Sequence, residues 1–164
     1  MKILAPLADN PNAPNKDISG DTPIYRSALY GRTEMVKILA PLTSTPNAPP
    51  KNELTPIYAA ACEGHTEIVK FLAPLTDNPN APDERGWTPM HWAAWNGFTE
   101  IFKFLALLTD DPNPLDNIGR TPYIIARFRG SKEIQKFLQT YQTSRKRKTG
   151  LSSTKPSKKR ANKF

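Results

Sequence analysis

The sequence predicts an all-α solenoid of stacked helical hairpins, and three observations support this fold class. Thr-Pro pairs recur at a spacing of 33 residues, a glycine lies nine residues after each of these threonines, and an apolar stretch follows each glycine. The four units begin near Thr22, Thr55, Thr88 and Thr121. A repeat of this length is typical of arrays in which each unit buries its apolar face against its neighbours.

The first helix of each unit is predicted to begin at the Thr-Pro pair. Threonine is a good N-cap residue, and proline suits the first helical position because its missing N–H would have no partner there. Small residues follow, such as 59–61 and 93–94, which are all alanine. They allow neighbouring helices to approach closely.

The second helix of each unit is predicted from apolar residues at helical spacing. These residues are Met35, Val36, Leu39, Ile68, Val69, Leu72, Ile101, Phe102 and Leu105. Pro41 and Pro74 are expected to stop or kink their helices. Arg127 replaces the alanine of the other units (Ala28, Ala61, Ala94) at a position where a following unit would press, which is typical of a terminal unit.

These units resemble ankyrin repeats, from about Lys2 to Gln139. The resemblance depends on the Thr-Pro pairs, on the loop glycines, on glycines that precede three of the Thr-Pro pairs, and on a turn asparagine. The glycines are Gly31, Gly64, Gly97 and Gly130 in the loops and Gly20, Gly86 and Gly119 before Thr-Pro; the asparagines are Asn47, Asn80 and Asn113. The resemblance implies a non-enzymatic protein–protein interaction scaffold. The asparagines are expected to brace their hairpin turns, and the resemblance also makes them candidate substrates of an asparaginyl hydroxylase.

Three regions are expected along the chain. Residues 1–20 form a partial N-terminal repeat, because MKILAPL matches the end of the second helix at 36–42, and they are too short for a signal peptide. Residues 21–143 form the four-unit repeat domain, and 144–164 form a disordered basic tail. The partial repeat favours a C-terminal fragment of a larger ankyrin protein over a natural chain with a frayed N-terminus, since solenoids normally carry capping repeats.

The basic character of the chain belongs to the tail. Of its 23 Lys and Arg, nine lie in residues 144–164, which contain no acid, so the remainder has 14 basic against 15 acidic residues. Two basic clusters resemble a bipartite nuclear localisation signal read by an import receptor. Their residues are Arg145, Lys146, Arg147, Lys148, Lys158, Lys159 and Arg160. We therefore expect a nuclear or cytoplasmic protein, with the nucleus slightly favoured.

The tail also leaves a second class of function open, a nucleic-acid-associated protein that binds phosphates through counterion release. Phe164 is its only aromatic residue, which argues against base-specific recognition. No membrane partner is expected, because no apolar run approaches the length of a membrane span.

Catalysis is not expected, and neither are cofactors, metal ions or catalytic residues. The chain has one cysteine, Cys62, and two histidines, His65 and His91, in no zinc-ligand pattern. The single cysteine excludes an internal disulfide and fits a reducing compartment. The resemblance implies structural roles for both histidines, with His91 hydrogen-bonded near its helix start and to the adjoining repeat.

The resemblance places partner binding on the concave face, formed by the finger residue before each Thr-Pro pair and by the end of each first helix. The partner-binding residues predicted in this way are Tyr30, Leu54, Glu63, Trp87, Trp95, Asn96, Arg120, Phe128 and Arg129. Aromatic and arginine side chains dominate interface hot spots, so Tyr30, Trp87, Trp95 and Phe128 are the expected anchors. Trp87 and Trp95 are expected to lie outside the core, and the unit at Thr88 to set specificity.

Overall fold

The computed structural model describes residues 21–49 and 54–148, and eight α-helices occupy these two ranges without any β-strand. The helices are α1 (Pro23–Leu29), α2 (Thr33–Leu39), α3 (Pro56–Glu63), α4 (Thr66–Leu72), α5 (Pro89–Asn96), α6 (Thr99–Ala106), α7 (Pro122–Arg129) and α8 (Lys132–Lys148). The helices form four successive pairs, so the predicted all-α fold of helix-turn-helix repeats is confirmed.

The helices form two layers. In the inner layer α1, α3, α5 and α7 pack side by side, and in the outer layer α2, α4, α6 and α8 do the same. Each inner helix also packs against the outer helix that follows it in the chain. The core therefore lies between the layers and runs through all four units.

The predicted helix starts are confirmed. The hydroxyl oxygens of Thr22, Thr55 and Thr121 accept the backbone N–H three residues further on, at 3.2, 3.2 and 3.3 Å. Proline occupies the first turn of each inner helix. The helix at Thr88 begins differently, because a histidine side chain takes part in its cap.

The outer helices end where the prolines predicted. α2 and α4 are followed directly by Ala-Pro-Leu segments, which form the 3₁₀ turns Ala40–Leu42 and Ala73–Leu75. In the third unit Leu107 replaces the proline, and α6 extends to Ala106.

The predicted apolar positions of the outer helices are buried with the exception of Met35. The core includes Val36, Leu39, Ile68, Val69, Leu72, Ile101, Phe102 and Leu105. Met35 is 48% exposed, although its counterparts Ile68, Ile101 and Ile134 are buried. No described unit follows Ile134, so its burial shows that this position packs against the preceding unit. The residues that precede Asp21 lie outside the described part of the chain, as does the predicted partial repeat at 1–20.

The last unit has the character expected of an array end. Arg127 is exposed, whereas Ala28, Ala61 and Ala94 at the same position are fully buried by the next inner helix. α8 continues to Lys148, so its final turn belongs to the segment that the sequence assigned to the disordered tail. The predicted disorder of residues 149–164 lies outside the described residues.

Candidate functional site

The structure places the predicted partner-binding residues in very different environments. Tyr30 and Phe128 are 63% and 79% exposed. Glu63, Asn96 and Arg129 are also exposed, and Leu54, Trp95 and Arg120 are half-buried. These residues stay candidates for partner binding, and the concave face here means the surface that they form.

The prediction that Trp87 lies outside the core is wrong. Its side chain is only 8% exposed and belongs to the hydrophobic core. Its indole N–H donates to Asp116 Oδ2 over 2.9 Å. Trp87 is therefore held beneath the surface that the other predicted residues form, and it offers little area to a partner protein.

An aromatic row joins the third and fourth units. The ring of Trp87 lies 4.9 Å from that of Trp92 and 6.0 Å from that of Trp95, and Trp95 stacks on Phe128 at 6.4 Å. Tyr30 belongs to the first unit and has no ring contact with this row in the described residues. Three of the four predicted anchors, Trp87, Trp95 and Phe128, therefore form one row, which Trp92 extends.

Two guanidinium groups lie on this row. Arg120 Cζ is 5.0 Å from the centre of the Trp87 ring, and Arg129 Cζ is 4.6 Å from that of Trp95. Arginine over an indole face is attracted by the ring quadrupole. Trp95, also predicted to lie outside the core, is half-buried: it packs against the core, and Phe128 and Arg129 cover it from the next unit.

A depression of about 510 Å³ lies on the concave face between the first and third units. Its lining includes Leu54, Glu63 and Asn96 of the predicted site, together with Trp92 and Cys62. Burial and the charges of Glu63 and Asp83 raise the pKa of Cys62 to about 12. The thiol is therefore protonated near neutral pH, and a protonated thiol is a poor nucleophile.

Side chains of one unit bind the last carbonyls of the preceding inner helix. Asn96 Nδ2 donates to the Cys62 carbonyl over 3.0 Å, and Arg129 Nε donates to the Trp95 carbonyl over 2.9 Å. His65 Nε2 lies 3.1 Å from the Leu29 carbonyl. The structural role predicted for His65 is confirmed, and Asn96 and Arg129 hold neighbouring units together in addition to facing solvent.

Two finger aspartates organise the site, and sequence reasoning missed both. Oδ1 of Asp83 accepts the N–H groups two and four residues ahead, at 2.9 and 2.7 Å. Oδ1 of Asp116 does the same at 3.0 and 2.7 Å. The signal was present as Asp-x-x-Gly, starting five residues before Thr88 and again before Thr121.

The second carboxylate oxygen of each aspartate accepts hydrogen bonds from side chains. Asp116 Oδ2 accepts the Trp87 indole N–H and Arg120 Nε, the latter over 2.7 Å. Burial raises the pKa of Asp116, but the N–H groups of Arg120, Ile118 and Trp87 outweigh it and hold the pKa at about 2. Asp116 is thus a buried carboxylate that fixes an indole and a guanidinium together.

Asp83 anchors the second unit to its finger. The Tyr58 hydroxyl donates to Asp83 Oδ2 over 2.9 Å and accepts the indole N–H of Trp92 over 2.7 Å. Burial, followed by the hydrogen bond to Asp83, raises the pKa of Tyr58. The phenol therefore stays neutral and bridges two units.

The turn asparagines were predicted to brace their own turns, and two of them instead bind the start of the next inner helix. Oδ1 of Asn47 accepts the Ile57 N–H over 2.9 Å, and Oδ1 of Asn113 accepts the Tyr123 N–H over 2.8 Å. Asn80 differs, because its Nδ2 donates to the Leu105 carbonyl over 3.3 Å while its buried Oδ1 has no partner in the described chain. The exception occurs in the unit whose cap contains a histidine.

His91 has the role implied by the resemblance. It is fully buried, and its Nδ1 accepts the backbone N–H of Thr88 over 3.0 Å. Nε2 therefore carries the proton and points to the Arg120 carbonyl at 3.4 Å. Burial lowers the pKa of His91 below 6.5; the Arg120 carbonyl and the carboxylates of Asp116 and Asp83 oppose this, and the Arg120 guanidinium adds to it.

The lowered pKa of His91 predicts a loss of stability in mild acid. The unfolded chain binds a proton at this residue more readily than the folded chain. The contribution of His91 to the free energy of unfolding is therefore complete above about pH 6.5 and falls as the pH decreases towards the folded pKa. The slope for one proton is at most about 1.4 kcal/mol per pH unit. Urea unfolding of the wild type and of His91→Gln at pH 7.5 and pH 5.5 checks this, and equal pH dependence in both proteins contradicts it.

Neither metal nor membrane sites are found in the described ranges. No group of three His, Cys, Asp or Glu is placed to hold a metal ion there. No helix among these residues is both long and apolar enough to cross a membrane. Of the two basic clusters, residues 145–148 lie in α8 and residues 158–160 lie outside the described residues.

Comparison with known proteins gives one family. A family model for ankyrin repeats (3 copies) matches residues 1–83 and 42–116. No curated protein matches the chain. The matched residues cover more than half of the sequence, and the described part shows the helix pairs of the fold. The chain is a member of the ankyrin repeat family.

Proposed function

We propose that the concave face of this ankyrin array docks a partner protein. Ankyrin repeats are generally protein–protein interaction modules. The observation that carries the proposal is the exposure of two aromatic side chains, Tyr30 at 63% and Phe128 at 79%, on the surface that the family uses. Large aromatic residues in solvent contribute strongly when a partner covers them.

The aromatic row holds the exposed ring of Phe128 in place. Phe128 stacks on Trp95, and Trp95 packs on the buried ring of Trp87. Among the described residues no further unit covers Phe128 in the way that Phe128 covers Trp95. A partner side chain placed there would continue the row, with little ordering cost because the rings are already held.

Affinity capture with full-length variants tests the proposal. Phe128→Ala and Tyr30→Ala are expected to lose the bound partner while retaining the thermal unfolding midpoint, because both side chains are largely exposed. Leu107→Ala is the matched control, since Leu107 is 70% exposed at the end of α6 in the outer layer. An unchanged set of captured proteins in both aromatic variants contradicts docking on this face.

We further propose that the basic tail directs the protein to the nucleus, with nucleic-acid binding through the tail as the second candidate. Nine basic residues and no acid in 144–164 favour both. Under our main proposal, deleting these residues leaves partner docking intact. A nucleic-acid complex would be lost on the same deletion, and in the full-length protein it would weaken steeply with salt. A reporter that carries the tail and stays in the cytosol contradicts nuclear import.

A further inference from the structure

Arg129 is held in one orientation by its own chain. Its guanidinium carbon lies 4.6 Å above the Trp95 ring, and its Nε donates to the Trp95 carbonyl over 2.9 Å. These two contacts use one planar face of the guanidinium and one of its five N–H bonds. The terminal N–H groups are the part of the side chain that remains for a ligand.

The charge of Arg129 has no acidic partner in the described residues. Ion pairs there join Arg26 to Asp21, Lys37 to Glu34, Lys70 to Glu100 and Arg120 to Asp116. Arg120 is the informative comparison, because it stacks on Trp87 in the same way yet has a buried carboxylate at 2.7 Å. One stacked arginine is therefore neutralised inside the protein, and the other is exposed with its charge available.

The surroundings of Arg129 combine positive charge with apolar area. Phe128 is the neighbouring residue and is 79% exposed. Arg127 and Lys132 are exposed on the same terminal unit, against one exposed acid in its helices, Glu133. The preceding units carry acidic side chains here, since Glu63 lines one depression and Glu84 lines another together with Asp83 and Arg85. A continuous phosphate backbone along this face would meet those carboxylates, whereas a short acidic segment at the terminal end would not.

We propose that Trp95, Phe128 and Arg129 bind an acidic segment of the partner protein. A carboxylate of the segment pairs with the terminal N–H groups of Arg129, and an adjacent apolar side chain packs on the ring of Phe128. The planar guanidinium matches a carboxylate in a bidentate arrangement. This inference rests on the proposed docking function and specifies the chemistry of the partner.

Selection of short random peptides displayed on phage, with the full-length protein as bait, tests the proposal. The enriched peptides are expected to contain an acidic residue next to an apolar or aromatic one. Binding of the synthetic peptides, chosen without tryptophan, is followed by the fluorescence of the protein. Its three tryptophans lie together, with Trp87 4.9 Å from Trp92 and 6.0 Å from Trp95.

Arg129→Gln is the decisive variant, because it removes the charge and keeps an N–H donor for the Trp95 carbonyl. It is expected to weaken peptide binding by about tenfold or more. Arg32→Gln is the matched control, since Arg32 is an exposed arginine at the start of α2, and it is expected to bind like the wild type. Thermal unfolding of each variant shows whether the fold is retained.

The outcomes separate this inference from the proposed function. Enriched peptides without acidic residues, or full affinity in Arg129→Gln, overturn the acidic partner while the docking function stands if Phe128→Ala still abolishes binding. Full affinity in Phe128→Ala, or the absence of any enriched peptide, counts against docking on this face itself. An oligothymidine of equal length that displaces the peptides at lower concentration overturns the inference and assigns the patch to nucleic acid.

Discussion

Replacing Asp116 with alanine is expected to lower the free energy of unfolding by about 3 kcal/mol, the largest effect of any single polar substitution around the candidate site. The carboxylate accepts hydrogen bonds from the backbone N–H groups of Ile118 and Arg120, the Arg120 guanidinium and the Trp87 indole. Alanine leaves the buried indole N–H without a partner and opens the finger. The guanidinium and the backbone N–H groups are partly exposed and can regain hydrogen bonds from water, whereas the buried indole cannot.

Urea unfolding at neutral pH measures this loss, and Asp77→Ala serves as its control. Asp77 is exposed, so its replacement is expected to change stability by less than about 0.5 kcal/mol. Equal midpoints for the two variants would show that the finger does not depend on the carboxylate.

The same carboxylate predicts a second, acid-dependent signature. Its pKa is lowered from 3.8 to about 2 in the folded chain, so the stabilisation is complete above about pH 4 and is lost as the pH falls through about 2. Asp116→Asn is expected to be less stable at pH 5 and to lose less stability between pH 4 and pH 2 than the wild type.

Gly86→Ala is expected to destabilise the array by about 3 kcal/mol, through backbone strain and overpacking together. Gly86 has φ +77°, a region that favours glycine. A Cβ there would lie 2.7 Å from Asn117 Oδ1 and 3.0 Å from the Asn117 backbone nitrogen. Those groups cannot move freely, because Asn117 donates to the carbonyls of Arg85 and Glu84 at 3.0 and 2.9 Å and so joins the two fingers.

Gly119→Ala separates the two contributions to that loss. Gly119 occupies the equivalent place in the next finger with φ +82°, and a Cβ there would meet no atom within 4 Å. This substitution is expected to lower the free energy of unfolding by about 1 kcal/mol, through backbone strain alone. Similar unfolding midpoints for Gly86→Ala and Gly119→Ala would contradict the close approach of the fingers.

The helices were predictable because their signals are local. A threonine before a proline caps a helix through its own hydroxyl, and a proline after Leu39 or Leu72 ends one through its own ring. His91 could be placed as well, because the resemblance supplied the contact between units. In each case the residue types that form the structure lie within a few positions of one another or belong to the repeated pattern.

The environment of the site was less predictable, because it depends on contacts between units. The buried indole N–H of Trp87 is bound by a carboxylate that lies 29 residues further along the chain. Asp83 and Asp116 look like ordinary turn residues until their second oxygens are seen to bind Tyr58 and Trp87. Met35 fits the helical pattern as well as Ile68, and only the neighbouring unit decides which of them is covered.

The contacts at the ends of the inner helices have a consequence for how such a surface can evolve. An imidazole, a carboxamide and a guanidinium each bind a terminal carbonyl of the preceding inner helix, at Leu29, Cys62 and Trp95. The fold needs one N–H donor at each junction and does not constrain the charge that accompanies it. Natural variation or design can therefore alter the electrostatic specificity of the array at Asn96 or Arg129 while the core stays the same.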